Sequence, residues 1–247
     1  MCLFGTAGTA AADEALVAAV ERIPVEAESP SGYLREAFGY NSAAVRPAVL
    51  EQESRVPVVK DDSGKVLAGE WVSAWDGITH TDAAAVEADH TVALAEAWAS
   101  GARSWDASKR QQFASDTVNP EVLNTVTAAL NQQKGDRDPA EWLPPAADRT
   151  CEYIRQWTHV KQLYGLSADQ PEKEALTATA RQCPPAASTP APLPSASTPA
   201  PLPSAAALLA QTGSRGPGTL LAVAVITSCG AVAAAAIARR RNAGRPG

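Results

Sequence analysis

The chain has 247 residues, with 21 Lys and Arg against 27 Asp and Glu and a net charge of -6. That balance excludes the sequence-wide basic footprint of most nucleic-acid binders, so an activity on nucleic acid would have to reside in a local site. Both ends depart from globular composition, which leaves one folded domain of ordinary size rather than two.

The opening stretch, MCLFGTAGTAAADEA, has no basic n-region and too short an apolar run for a complete signal peptide. It resembles the tail of one, with small residues around Ala10 to Ala12 suited to cleavage, so residues 1–12 are read as a remnant and the true start is expected upstream. From Asp13 the pattern becomes globular. DEALVAAVERI has helical spacing and an acidic first turn, and RVPVVKDDSGKVLAGEWV predicts a hairpin around an Asp-Asp-Ser-Gly turn. After the AWDG turn, GITHTD places His80 in a turn, and AAAVEADH predicts a short strand that ends at His90. ALAEAWASGA and DASKRQQFAS predict two helices, the second capped by Asp106. PEVLNTVTAALNQQKGD is expected to pass from strand to helix near Thr127. CEYIRQWTHVKQLYG puts Tyr153, Trp157, Val160 and Tyr164 on one helical face, leaves His159 beside it in solvent, and ends at Gly165. The six tryptophans, Trp71, Trp75, Trp98, Trp105, Trp142 and Trp157, are expected in the core or at its rim rather than as base-stacking platforms.

Beyond Cys183 the composition changes abruptly. STPAPLPSA occurs at 188–196 and again at 197–205, within a Pro/Ala/Ser-rich linker over 184–208. Such a tract favours polyproline II and spans on the order of 60 Å. LAQTG follows at 209–213, then an uncharged apolar segment at 219–238 long enough to cross a bilayer as a helix, and a basic tail at 239–247. Arg239, Arg240 and Arg241 predict a cytoplasmic tail with everything upstream outside. Pentapeptide, apolar helix and basic tail in this order resemble a sortase sorting signal of the LAxTG variant associated with class E sortases of actinobacteria. The resemblance implies a sortase as partner, cleavage between Thr212 and Gly213, and transfer of Thr212 to peptidoglycan, with the membrane helix transient. A plain tail anchor is the alternative.

Of four cysteines, Cys2 and Cys229 lie in the atypical ends, which leaves Cys151 and Cys183 as the pair in the folded part. An oxidising compartment would let them close one loop. Zinc is not expected, because neither has a second ligand at metal-site spacing, and the three histidines are too scattered for a zinc hydrolase.

The string SAWDG, TD, VEADHTVALAEAWASGA, followed by LNQQKGDRDPAEWLPP, CEYIRQWTHVKQLYGL and a terminal cysteine, closely resembles a secreted actinobacterial family of HNH-type, or ββα-metal, nucleases. The same domain forms the C-terminal part of the GmrSD restriction endonucleases. The resemblance runs from about Gly32 to Cys183 and implies an α+β fold, a mostly helical domain over 13–183 built around a ββα-metal core. It implies His90 as general base, Asp89 as ligand to Mg²⁺ or another divalent cation such as Mn²⁺, and Asn131 as the ligand from the following helix. Imidazole chemistry suits the first role and hard oxygen donors the second. Lys134, one turn past Asn131, is a candidate phosphate contact or a solvated lysine, and Asn124 a candidate orienting residue. The implied partner is nucleic acid, DNA first. The chain departs from the family pattern at YNSAAVRPAVL, which keeps Arg46 but loses an Asp-rich, Cys-containing segment, and near Ser63 and Gly64, where a second cysteine is absent. Val122 stands where some relatives carry the orienting asparagine. These departures leave a second expectation open, a catalytically degenerate nuclease fold displayed as a binding or structural module.

Overall fold

Three aspartates start three helices. Asp13, Asp106 and Asp169 each accept a backbone N–H from the first turn they precede, at 3.0 Å from Leu16, 2.7 Å from Lys109 and 2.8 Å from Glu172. Each such cap contributes about 1 kcal/mol. These helices belong to a computed structural model that describes residues 12–186. Residues 1–11 of the 1–12 remnant, the linker beyond Ala186, the LAQTG motif with Thr212 and Gly213, the apolar segment 219–238 and the basic tail lie outside the described residues. Among the described residues no helix is long and apolar enough to cross a membrane.

The architecture is α+β. Helix α1 (Glu14–Glu21) buries Leu16 and Val20, and a 3-10 turn, Arg35–Phe38, leads into α2 (Ser42–Glu53). Strands β1 (Val59–Lys60), β2 (Val66–Val72) and β3 (Thr79–Asp82) form an antiparallel sheet in sequence order. Its first turn is closed by Asp61, whose carboxylate accepts from the Ser63 and Lys65 N–H groups while Gly64 takes a positive φ of 84°.

The second sheet positions the site. Strand β4 (Val86–His90) pairs antiparallel with β5 (Leu123–Thr127), in a register that sets Asp89 opposite Asn124 and His90 opposite Leu123. Between them the chain makes α3 (Leu94–Ala99) and α4 (Ala107–Ala114). Strand β5 runs directly into α5 (Ala128–Lys134), the transition expected near Thr127. Thr127 is a knot at that junction. Its N–H donates to Ser73 Oγ at 3.0 Å, its hydroxyl donates to Asp76 at 2.7 Å, and His80 Nε2 lies 2.8 Å from the same hydroxyl. His80 therefore sits on strand β3 and not in a turn, because β3 begins at Thr79, directly after the Asp76–Gly77 turn.

Helix α6 (Ala147–Tyr164) buries Tyr153, Ile154, Trp157, Val160 and Tyr164 along one face and stops at Gly165, which adopts the left-handed conformation with φ 69°. His159 is exposed on it. Helix α7 (Gln170–Ala180) follows. The main core gathers Phe38, Trp75, Phe113, Tyr153 and Trp157 with aliphatic residues of α1, α6 and β5, and Trp71 closes a smaller one beneath α2 with its indole N–H on the Leu50 carbonyl. Trp98, Trp105 and Trp142 pack partly buried at the rim of the main core. Cys151 and Cys183 are bonded, 32 residues apart in sequence and 5.5 Å between Cα atoms. Closing a loop of that length stabilises the fold by roughly 3 to 4 kcal/mol in the chain-entropy description. Asp13 N–H donates to the Cys183 carbonyl at 2.8 Å, so the two ends of the folded segment meet.

Candidate functional site

Asp89, His90 and Asn131 line one cleft of about 480 Å³, formed between the end of β4, the face of α5 and the Arg35–Phe38 turn. The local sequence accounts for where each side chain goes. Adjacent residues on a strand point to opposite faces, so Asp89 and His90 leave β4 in different directions. Asp89 turns toward α5 and His90 toward α4. On α5, Asn131 and Lys134 are three positions apart and share the face turned to β4.

His90 is only 4% exposed. Its ring stacks on Phe113 at 5.7 Å and meets the Tyr40 ring edge-on at 5.2 Å. Nε2 lies 3.0 Å from the Ala114 carbonyl oxygen at the end of α4. A carbonyl only accepts, so Nε2 carries the proton and Nδ1 keeps its lone pair. Burial pulls the imidazole down to about 4, against the opposing pull of the Asp89 charge and the Ala114 carbonyl. The ring is therefore neutral at pH 7, in the tautomer that leaves Nδ1 as a proton acceptor.

Asp89 keeps 18% of its side chain exposed, while the Lys134 side chain beside it has 0%. Lys134 Nζ donates to Asp89 Oδ2 at 2.9 Å and to the His90 carbonyl at 3.0 Å, and lies 5.2 Å from the centre of the Trp75 ring. This corrects the sequence expectation. Lys134 is neither a solvated helix lysine nor free to meet a phosphate; its ammonium is consumed in fixing the backbone and carboxylate of the Asp89–His90 pair. Neither of the roles weighed for it from the sequence fits this geometry, in which it holds Asp89 and the His90 backbone in place.

Asn124 is buried and does not line the cleft. Its Nδ2 donates to Thr91 Oγ1 at 2.7 Å, and the Thr91 hydroxyl donates to the Glu121 carbonyl at 2.5 Å. It secures the chain just past His90, whereas the imidazole itself is turned by the Ala114 carbonyl. Arg46, on α2, lines the cleft but is occupied: its guanidinium binds Glu87 at 3.2 Å and the Ala83 and Val86 carbonyls at 2.6 and 3.0 Å.

Asp89 Oδ1 has no hydrogen-bond donor among the described residues, and the Asn131 side chain is likewise without one. A carboxylate and a side-chain amide lining one cleft are oxygen donors of the kind a hard divalent cation takes, its shell completed by water or phosphate oxygens. The sequence reading missed Arg35 and Tyr40, which also line this cleft. A signal was present in YLREAFGY, where one cation is interleaved with aromatic residues.

A second cavity, of about 470 Å³, adjoins the first, with Ala95 and Asp136 lining both. Beside it Glu28, Asp138, Asp169 and Glu172 each bring a carboxylate oxygen within 4.8 Å of the others, around the fully buried Lys161. No residue pattern in the sequence reading pointed to it.

No family model matches the chain, and no solved structure matches it. A protein of Arthroderma benhamiae described as an uncharacterized secreted protein is 41% identical over 157 residues, which cover 62% of this chain and 76% of that protein. The chain belongs to the family of that fungal protein.

Proposed function

We propose that the chain is a secreted, metal-dependent endonuclease of the HNH, or ββα-metal, kind, which hydrolyses phosphodiester bonds of nucleic acid, DNA first among them. One observation carries the reading: β4, β5 and α5 in that order bring Asp89, His90 and Asn131 to a single open cleft. The neutral His90, with Nε2 bonded to a backbone carbonyl, accepts a proton at Nδ1 from the water whose oxygen attacks phosphorus. The bond from phosphorus to the leaving oxygen breaks, and that oxygen takes a proton from solvent. Asp89 and Asn131 would hold Mg²⁺ or Mn²⁺, which would supply positive charge to the phosphate beside the carboxylates of the cleft. Lys134 acts on the reaction only through Asp89 and the backbone of His90.

The secreted description of the fungal relative and the Cys151–Cys183 bridge support an extracellular address. The LAQTG motif, apolar segment and arginine tail support anchoring to the cell wall by a sortase. The second reading, a nuclease fold that binds without cutting, is favoured by the occupied state of Arg46 and Lys134. Incubating the purified chain with plasmid and Mg²⁺ or Mn²⁺ separates the two. Cleavage that EDTA abolishes and that His90→Ala lowers by about 10²–10⁴-fold is expected. Retention of DNA with no cleavage under either metal supports the binding module, and neither binding nor cleavage removes both readings.

A further inference from the structure

Two cationic side chains, Arg35 and Arg46, line the cleft, and a third, Lys134, lies beneath Asp89; the last two are already committed. Arg46 is held by Glu87 and two carbonyls, and Lys134 is sealed beneath Asp89. Arg35 differs. It opens the Arg35–Phe38 turn, is exposed, and forms no ion pair with a carboxylate among the described residues. Its guanidinium carbon lies 5.2 Å from the centre of the Tyr40 ring, and the Tyr40 ring in turn meets His90 edge-on at 5.2 Å. Guanidinium, phenol ring and imidazole thus form a short row of contacts along the cleft, ending at the proposed base. A guanidinium in cation–π contact with an aromatic face keeps N–H groups for other partners, and that fork matches two phosphate oxygens.

The cleft is otherwise acidic, with Glu87, Asp89 and Asp136 on its walls. A polyanion entering it needs a fixed cation at the mouth, beyond any held at Asp89. Resting on the nuclease reading above, we propose that Arg35 binds a backbone phosphate of the nucleic-acid substrate beside the one that is cut, with the Tyr40 ring as its cation–π neighbour. Arg35 is a substrate-binding residue in this assignment and takes no part in proton transfer.

Binding of a fluorescent DNA duplex of about 20 base pairs by the purified chain, in EDTA and over a range of salt, tests it alongside steady-state cleavage with Mn²⁺. Loss of one phosphate contact should reduce the slope of log affinity against log salt by about 0.9. Arg35→Ala should show that reduction and raise KM by about tenfold with a smaller effect on kcat. Arg35→Lys, which keeps the charge and loses the fork, should recover the salt slope but only part of the affinity. Unchanged slope and KM in Arg35→Ala, with the wild type binding and cutting, overturns the assignment and leaves the nuclease reading intact. A wild type that neither binds nor cuts overturns both. Arg35 is exposed, and matching circular dichroism melts of the three proteins would show that the fold is unaffected.

Discussion

Two lysines lose all solvent contact in this fold, and their surroundings differ in a way that separates architecture from chemistry. Lys161, on α6, donates at 2.7 Å each to Glu96, Glu172 and the Ser167 carbonyl. Every proton of the ammonium has a partner. Burial pulls its pKa down, but the two glutamates outweigh that and hold it above the ordinary value. Lys134, on α5, faces one carboxylate and one carbonyl, and the carboxylate keeps an oxygen toward the cleft. The first centre is closed on itself and ties α3, α6 and α7 together. The second is closed only from below, and what it leaves open is an acid next to a neutral imidazole.

Breaking the closed centre should have the largest effect. Lys161→Met leaves Glu96 and Glu172 buried without a counter-charge and should cost about 3–5 kcal/mol of stability, read from the urea midpoint. A loss under about 1 kcal/mol would show that the centre is not the tie it looks like. The equivalent change in the open centre should divide differently. Lys134→Met removes a partner from a carboxylate that water already reaches, so the stability cost should be about 1–3 kcal/mol, while cleavage at limiting Mn²⁺ falls about 10–100-fold. Equal melting loss with full activity would place Lys134 among the purely structural residues.

The smallest effect sharpens the contrast through pH. Glu28 stands at the edge of the closed centre, where burial and then the charges of Glu96 and Asp169 push it up to about 8 from an ordinary 4.5. Between those values the folded chain keeps a proton that the unfolded chain has released, so this group's contribution to stability declines as pH rises through that interval. Glu28→Gln should therefore melt close to wild type near about pH 5 and above it near about pH 8.5. A constant offset across that range would contradict the assignment.

Much of the fold was legible because local signals and tertiary packing agree. The Asp106 cap, the Asp61–Lys65 turn, the strand ending at His90, the strand-to-helix passage at Thr127 and the stop at Gly165 are each written in a few adjacent residues. The parts that could not be read depend on partners distant in sequence. Lys134 has the spacing of a surface lysine, and only the β4–α5 packing shows that it lies beneath Asp89, 45 residues earlier. The orienting group on His90 is the Ala114 carbonyl, and a backbone acceptor leaves no trace in residue type. The search for an asparagine in that role led to Asn124, which holds Thr91 instead. Lys161 and its glutamates come from three helices, and no linear spacing announces them.

Calorimetric titration of Mn²⁺ into the metal-free chain addresses the open centre directly. The account predicts a site that is lost in Asp89→Ala and retained in Glu28→Gln, whose carboxylate belongs to the closed centre. No uptake by the wild type, or uptake unchanged by Asp89→Ala, would contradict it.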